Sequence, residues 1–278
     1  MKGDDKSEAA PRREAGPQAP VRVMHIMEQL GMAPNGLPLG RLAERLGTPK
    51  STLLSFLRTL ESAGYVRNAE GVYRIAELGI RLGTIISHAN PFPGSLHMAL
   101  VQAMELSGET TLLGVMAESG REVVYVDMVE SRSAIRFSAT IGTRRPLYCT
   151  APGKALLAAQ SDEWIEEYIA GTQLIRHLPK TIADEHSLRE EIARIRSTGV
   201  AETHEEYTSG VSGFAAAIYD LNNRPVATMV IAAPTSRALH ERERLRDCAH
   251  KSTMAMSRIL GATFVSNGPG PARKASDA

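Results

Sequence analysis

The segment Pro146–Ala155 (PLYCTAPGKA) holds the densest set of groups in this chain that can bind or react. Small residues and a proline lead into a helix expected to start at about Pro152. A helix start exposes backbone N–H groups and the positive end of the helix dipole, so Gly153, Lys154 and Ala155 form a natural site for a carboxylate. Pro152 has no N–H to give. The plainer reading is an ordinary loop-to-helix corner with Lys154 in solvent. A phosphate loop of the G-x-x-x-x-G-K-[ST] type is excluded: it needs glycine where Tyr148 stands and Ser or Thr where Ala155 stands.

Other reactive groups are sparse. There are two cysteines, Cys149 and Cys248, far apart, and eight scattered histidines with no H-x-x-x-H or H-E-x-x-H spacing. No disulfide framework, metal site or cofactor is expected. Cys149 precedes a helix start, a place where a thiol pKa can fall. A small, semi-buried side chain is the preferred reading. A Cys149–His204 nucleophile and base would lack the third orienting group and a recognisable oxyanion hole. An enzyme is therefore not expected.

The elements around Leu39–Glu61 carry a different chemistry. A short helix with Leu42 and Leu46 four apart ends at Gly47, which permits a sharp reversal. Ala43 lets the next helix pack closely. Thr48 is the expected N-cap and Pro49 the first helical position. In that helix Leu53, Phe56, Leu57 and Leu60 fall on one face. Pro49 lies at its start, and Lys50, Ser51, Thr52, Ser55, Arg58, Thr59 and Ser62 stay outside. Hydroxyls with one or two cations on such a face suit phosphates and base edges in the major groove of DNA. Any amphipathic helix has a polar face, so the order of parts matters more. A helix at about Val21–Met32 precedes the unit, and a hairpin at Tyr65–Ile75 follows it with Arg67 and Arg74, suited to phosphate or minor-groove contact. Over residues 18–75 there are seven basic and four acidic side chains, a local +3 against +1 for the whole chain.

The 278 residues suggest two domains, with 43% hydrophobic and 23% charged side chains, enough for a sizeable core. No stretch approaches the roughly 20 apolar residues of a membrane helix, and the N-terminus lacks a signal-peptide core. A cytoplasmic location and no membrane partner are expected. A helix at Ala76–Ala89 shows an apolar stripe of Leu78, Leu82, Ile85 and Ile86, which offers a seam for pairing two chains. Strands are expected at Thr110–Ala117, Val123–Val129, Ala134–Ser138, Phe214–Tyr219 and Val226–Ala232. Helices are expected at Pro152–Gln160, Asp162–Ala170, Asp184–Ser197 and Ser236–Leu260. Tight turns at Gly120-Arg121 and Asn222-Asn223 imply an antiparallel sheet with helices on its faces or ends. The fold class is α+β.

Three stretches make the chain resemble the IclR-type family of bacterial regulators: GTPKSTLLSFLRTLESAGYV at 47–66, IGTRRPLYCTAPGKALLAA at 141–159 and EEYTSGVSGFAAAIYDLNNRPVATMVIAAP at 205–234. The resemblance covers about residues 19 to 264. It implies an N-terminal winged helix-turn-helix and a C-terminal GAF-like effector domain. Its partners would be double-stranded operator DNA, a small-molecule effector and further copies of the chain, as a dimer or dimer of dimers. Pro49, Lys50, Ser51 and Thr52 match the start of the family's recognition helix, while Ser55 departs from its common arginine. The expected organisation is a disordered tail over 1–17, a winged helix-turn-helix over 18–75, a linker helix over 76–92, an effector-binding domain over 93–265 and a disordered tail over 266–278.

The resemblance also places effector contacts at Ala151 and Pro152, beside Gly153 at the helix start, and at His204, Gly213, Val230 and Ala232. In relatives that bind small hydrophilic acids several of these are polar; here the later-strand positions are apolar or bare. That points to a less polar, aromatic carboxylic acid, with Tyr148, Phe137 and Phe214 as aromatic walls and His204 as a hydrogen-bonding partner. Phe137 and Phe214 read equally well as core, and a lone histidine is more often structural. A regulator answering to a non-acid ligand or to none stays open. So does a ligand-free architectural DNA binder, although about 170 residues is far more than dimerisation needs.

Overall fold

The structure, a computed structural model, describes residues 18–89 and 91–263. Both terminal tails, and residues 264–265 of the expected effector domain, lie outside the described residues. The chain divides into two compact units between Ala89 and Asn90.

In the first unit α1 (Gln18–Gly31), β1 (Leu37–Pro38), α2 (Leu39–Leu46), α3 (Lys50–Ser62), β2 (Val66–Ala69), β3 (Val72–Ile75) and α4 (Glu77–Ala89) follow in order. Ile26 and Leu30 of α1, Leu42 of α2, and Leu53 and Leu57 of α3 bury one face each against Val66 and Tyr73 of the sheet. The sheet runs β1-β3-β2, all antiparallel, with Leu37 opposite Tyr73 and Val66 opposite Ile75. The two-residue β1 has no signature of its own, because pairing alone defines it. The hairpin turns at Glu70 (φ 54°) and Gly71 (φ 81°), two left-handed residues in succession, whose twist matches the strands. Helix α3 begins one residue later than expected. Pro49 is the cap, with extended backbone (φ −55°, ψ 138°) and no side-chain cap bond. The Thr48 hydroxyl, expected to cap, donates instead to the Leu46 carbonyl at 3.0 Å. Helix α4 buries only Gly79, where a Cβ would sit 2.8 Å from the Tyr65 carbonyl. The helix expected as a linker thus packs in this unit, with Leu78, Leu82, Ile85 and Ile86 at 38–55% exposure.

The second unit contains a 3-10 turn (Gly94–Leu96), α5 (His97–Ser107), β4 (Thr110–Met116), β5 (Glu122–Val129), β6 (Arg144–Pro146), α6 (Ala151–Ala158), α7 (Asp162–Ala170), α8 (Glu185–Thr198), β7 (Ala201–His204), β8 (Val211–Tyr219), β9 (Pro225–Pro234), α9 (Thr235–His240) and α10 (Arg242–Ile259). One antiparallel sheet runs β6-β5-β4-β9-β8-β7. Its central strands β8 and β9 are apolar almost throughout because both faces are covered. Phe214, Ala216 and Ile218 face α5 and α10 with Met229 and Ile231. Ala215, Val230 and Ala232 face the other way, onto Ala151 and Ala155 of α6 and Ile195 of α8.

Two expectations fail here. Ala134–Ser138 is irregular, not a strand. Its carbonyls are taken by side chains, Thr110 Oγ1 donating to Phe137 O at 2.6 Å and Arg237 Nη2 to Ile135 O at 2.8 Å, so no ladder forms. The helix expected over Ser236–Leu260 is two helices, broken at Glu241 (φ −110°, ψ 22°). Strands β6 and β7 had no signature because edge strands of three or four residues are too short for a periodic signal.

Candidate functional site

The loop Leu147–Thr150 swings into α6 under the control of one hydroxyl. Thr150 is the N-cap in extended conformation. Its Oγ1 accepts the Gly153 N–H at 3.3 Å and donates to the Pro146 carbonyl at 2.8 Å. Its carbonyl accepts the Lys154 N–H at 2.8 Å. The helix therefore starts at Ala151, one residue before the expected Pro152. The N–H groups of Gly153 and Lys154, expected to be free for a carboxylate, are satisfied internally, and that of Ala155 lies a full turn inside. Ala151 retains an N–H with no acceptor among the described residues. Gly153 is required for packing: a Cβ would fall 2.4 Å from the Leu147 Cα and carbonyl oxygen.

Between this helix start and the sheet lies a cavity. Tyr125, Phe137 and Tyr207 give it aromatic walls; Ala151, Pro152, Val211, Gly213, Val230 and Ala232 give it apolar ones. Thr150, Thr203 and Thr208 supply hydroxyls, and Arg145 and Glu206 the charged groups. A Cβ on Gly213 would come 2.9 Å from Ala151 Cβ and 3.3 Å from Thr203 Oγ1, so the bare position keeps this corner open. Tyr125 is buried, and desolvation pushes its hydroxyl up to about 12, so it stays a neutral donor.

In the first unit Pro49, Lys50, Ser51, Ser55 and Arg58 lie exposed along α3, and Thr52 is half-buried. Arg67 is exposed on the hairpin. Lys50, Arg58 and Arg67 are exposed and make no ion pair among the described residues, so their charges stay available. Arg74 differs: it is half-buried, and its Nε donates to the Asn35 carbonyl at 3.0 Å, pinning the α1–β1 loop to the hairpin.

Comparison with known proteins decides the family. Residues 19–70 match the IclR helix-turn-helix domain and residues 93–258 the C-terminal domain of the bacterial transcriptional regulator IclR. The chain belongs to the IclR family. The transcriptional repressor IclR of Escherichia coli (strain K12) is 29% identical over 227 residues, 81% of this chain and 83% of that one. The HTH-type transcriptional repressor AllR of Salmonella typhi is 30% identical over 263 residues, 90% and 93% of the two chains. A putative IclR transcriptional regulator from Silicibacter sp. TM1040 superposes with a TM-score of 0.74 at 23% identity, covering 87% of this chain and 96% of that one. An IclR homolog from Microbacterium hydrocarbonoxydans, solved in complex with 4-hydroxybenzoate, gives 0.56 at 20%, covering 87% and 98%. As an IclR-family member the chain is a DNA-binding transcriptional regulator and not an enzyme. Among the described residues no helix is long and apolar enough to cross a membrane.

Within this IclR-family fold, the cavity wall contains Ala151, Pro152, Gly213, Val230, Ala232 and Phe137 and omits four expected residues. His204 sits on the opposite face of β7 from Thr203, because strand side chains alternate. Its Nδ1 is 2.9 Å from Ser212 Oγ, and its ring meets Phe214 edge-on at 5.9 Å. Phe214 is core on that same far face. Tyr148 turns into the cluster beneath α7 and α8, its hydroxyl donating to the Ile175 carbonyl at 2.8 Å and accepting the Ile175 N–H at 3.0 Å. Gly153 packs against Leu147 instead of the cavity. Cys149 is fully buried, and desolvation pushes its thiol up to about 12, the reverse of an activated nucleophile.

The residues missed are as informative. Lys154, solvated in the plainer of the two readings, has no exposed surface; its Nζ lies 2.8 and 2.6 Å from the two Glu206 oxygens and 3.7 Å from Glu191 Oε1. Glu191 is in turn gripped by Arg194 at 2.7 and 2.8 Å. Burial pushes the Glu206 carboxyl above the ordinary carboxylate range, and Lys154 works against that rise. The only trace in the sequence is a lone cation inside the apolar helix APGKALLA. Tyr125, Arg145 and Tyr207 come from separate segments and carry no shared spacing.

Proposed function

We propose that this regulator senses a small aromatic carboxylic acid in the cavity at the start of α6, and that the ligand alters its hold on operator DNA. The observation that carries this reading is the wall itself: Tyr125, Phe137 and Tyr207 converge around apolar surface at an uncapped Ala151 N–H. Aromatic and apolar walls with few polar groups are the usual make-up of such a site. The Microbacterium relative bound to 4-hydroxybenzoate supports the same class of ligand. Ala151, Pro152, Gly213, Val230 and Ala232 are the contact residues proposed here, without Tyr148, Gly153 or His204.

DNA would be read by α3 through Pro49, Lys50, Ser51, Thr52, Ser55 and Arg58, with Arg67 on the flanking phosphates and Arg74 positioning the hairpin. A dimer, or a dimer of dimers, in the cytoplasm would present two winged units to half-sites about 34–36 Å apart or a multiple of that. The exposed stripe on α4 is the seam that would pair them. The effect of the ligand is limited by its difference in affinity for the two arrangements.

Thermal shift with a panel of aromatic and aliphatic carboxylic acids, read beside binding to the protein's own promoter, tests this. A saturable rise with aromatic acids and a coupled change in DNA affinity is the expected result. DNA binding with no response to any acid would leave a regulator answering to a non-acid ligand or to none.

A further inference from the structure

The cavity wall holds a positive charge that no carboxylate among the described residues neutralises. Arg145, on β6, is half-buried and lines the cavity. Its Nη1 donates to the Arg144 carbonyl at 3.1 Å, and its guanidinium carbon lies 5.3 Å from the centre of the Tyr207 ring. No carboxylate pairs with it among the described residues. The other half-buried arginines among the described residues of this unit each have one: Arg189 with Glu166, Arg194 with Glu191, Arg196 with Asp162, Arg237 with Glu109 and Arg246 with Glu243. Glu206, the one carboxylate in the wall among the described residues, has both oxygens on Lys154. Removing a cation from part of its water without a counter-ion is costly.

We propose that Arg145 is the counter-ion for the effector's carboxylate, its planar fork matching the two oxygens and the Tyr207 face restraining it. This rests on the aromatic-acid reading above and makes it narrower. The acid group is held at β6 by a charge, and the ring lies against Tyr125 and Phe137. The preferred class is an aromatic monocarboxylate. An amide brings no charge to Arg145, and the second acid of a dicarboxylate would find no unmatched cation in the wall.

The test is calorimetric titration of the full chain with benzoate, 4-hydroxybenzoate and 4-hydroxybenzamide, for wild type, Arg145→Gln and Arg145→Lys. The wild type should favour the acids over the amide. Arg145→Gln should weaken acid binding about ten- to a hundredfold, the range of a charged hydrogen bond. It should weaken the amide far less than the acids and leave unliganded DNA binding intact, which separates a lost counter-ion from a damaged fold. Arg145→Lys should recover part of the loss, since a point charge lacks the fork. If Arg145→Gln binds both acids as the wild type does, the counter-ion role is overturned and the aromatic-acid reading stands. A wild type that binds neither acid overturns both.

Discussion

Lys154 and Glu206, 52 residues apart in sequence, meet as a buried ion pair in which the lysine Nζ touches both carboxylate oxygens at 2.8 and 2.6 Å. The pair ties α6 to the loop after β7, and Glu191 and Arg194 extend it to α8. Breaking one partner leaves an uncompensated buried charge, whereas replacing both with apolar groups of similar size is often close to neutral. Lys154→Met should therefore destabilise the protein by about 3–5 kcal/mol, and the double variant Lys154→Met with Glu206→Leu should recover most of that. Urea denaturation of the four proteins in a double-mutant cycle measures it. A single variant as stable as the wild type would rule out the pair as a buried charge couple.

Gly213 is the position where added volume should close the cavity. A Cβ there already stands 2.9 Å from Ala151 Cβ. Gly213→Val should abolish the thermal shift by aromatic acids, at a stability cost of about 1–3 kcal/mol. Unliganded DNA binding should persist. A variant with a full ligand response would place the effector elsewhere.

His204 gives a pH signature of stability. Burial is the main cause that lowers its pKa below the ordinary 6.5, with Arg242, Lys180 and Arg194 adding to it and Glu202 opposing. A depressed folded-state pKa means that the unfolded chain binds the proton first. The contribution of His204 is thus present above 6.5 and is lost as the pH falls through the lower folded value. Denaturation midpoints across about pH 5 to 8 should show wild type losing stability on the acid side relative to His204→Gln. Parallel curves for the two proteins would contradict this.

On the DNA side, Lys50→Ala should weaken operator binding by about 1–3 kcal/mol if Lys50 reads a guanine, with relaxed discrimination at that base. Equal losses on operator and random DNA, with a shallower salt dependence, would make Lys50 a phosphate contact instead. Mobility-shift titrations at several salt concentrations separate the two.

The α4 stripe should drive self-association. Leu82 and Ile86 are four apart and 39% and 55% exposed. Charging both, as Leu82→Glu with Ile86→Glu, should shift sedimentation toward the monomer and weaken binding to a full palindrome more than to a half-site. Unchanged sedimentation would assign pairing to another surface.

The first unit was largely legible in the sequence because its signals are local. Leu53, Phe56, Leu57 and Leu60 reveal α3 by spacing alone, and the hairpin follows from its turn residues. β1, the cap of α3 and the inward turn of Arg74 escaped, and all three depend on how the chain is paired and bent at single residues.

The cavity was legible only in part. Gly213, Val230 and Ala232 lie together because β8 and β9 pair in register, Gly213 opposite Ala232. His204 was read as a wall residue where Thr203 is one, since a strand reverses its face at every residue and a four-residue edge strand has no pattern to fix the phase. Residue types and short-range periodicity determined the DNA-reading unit and the class of fold, and pointed to the segment before α6 as the place of the proposed site. Tertiary structure decided what faces that site. Whether Lys154 is solvated or buried, whether Tyr148 turns inward or away, and whether Arg145 finds an acid all depend on partners distant in sequence, and no local spacing records them.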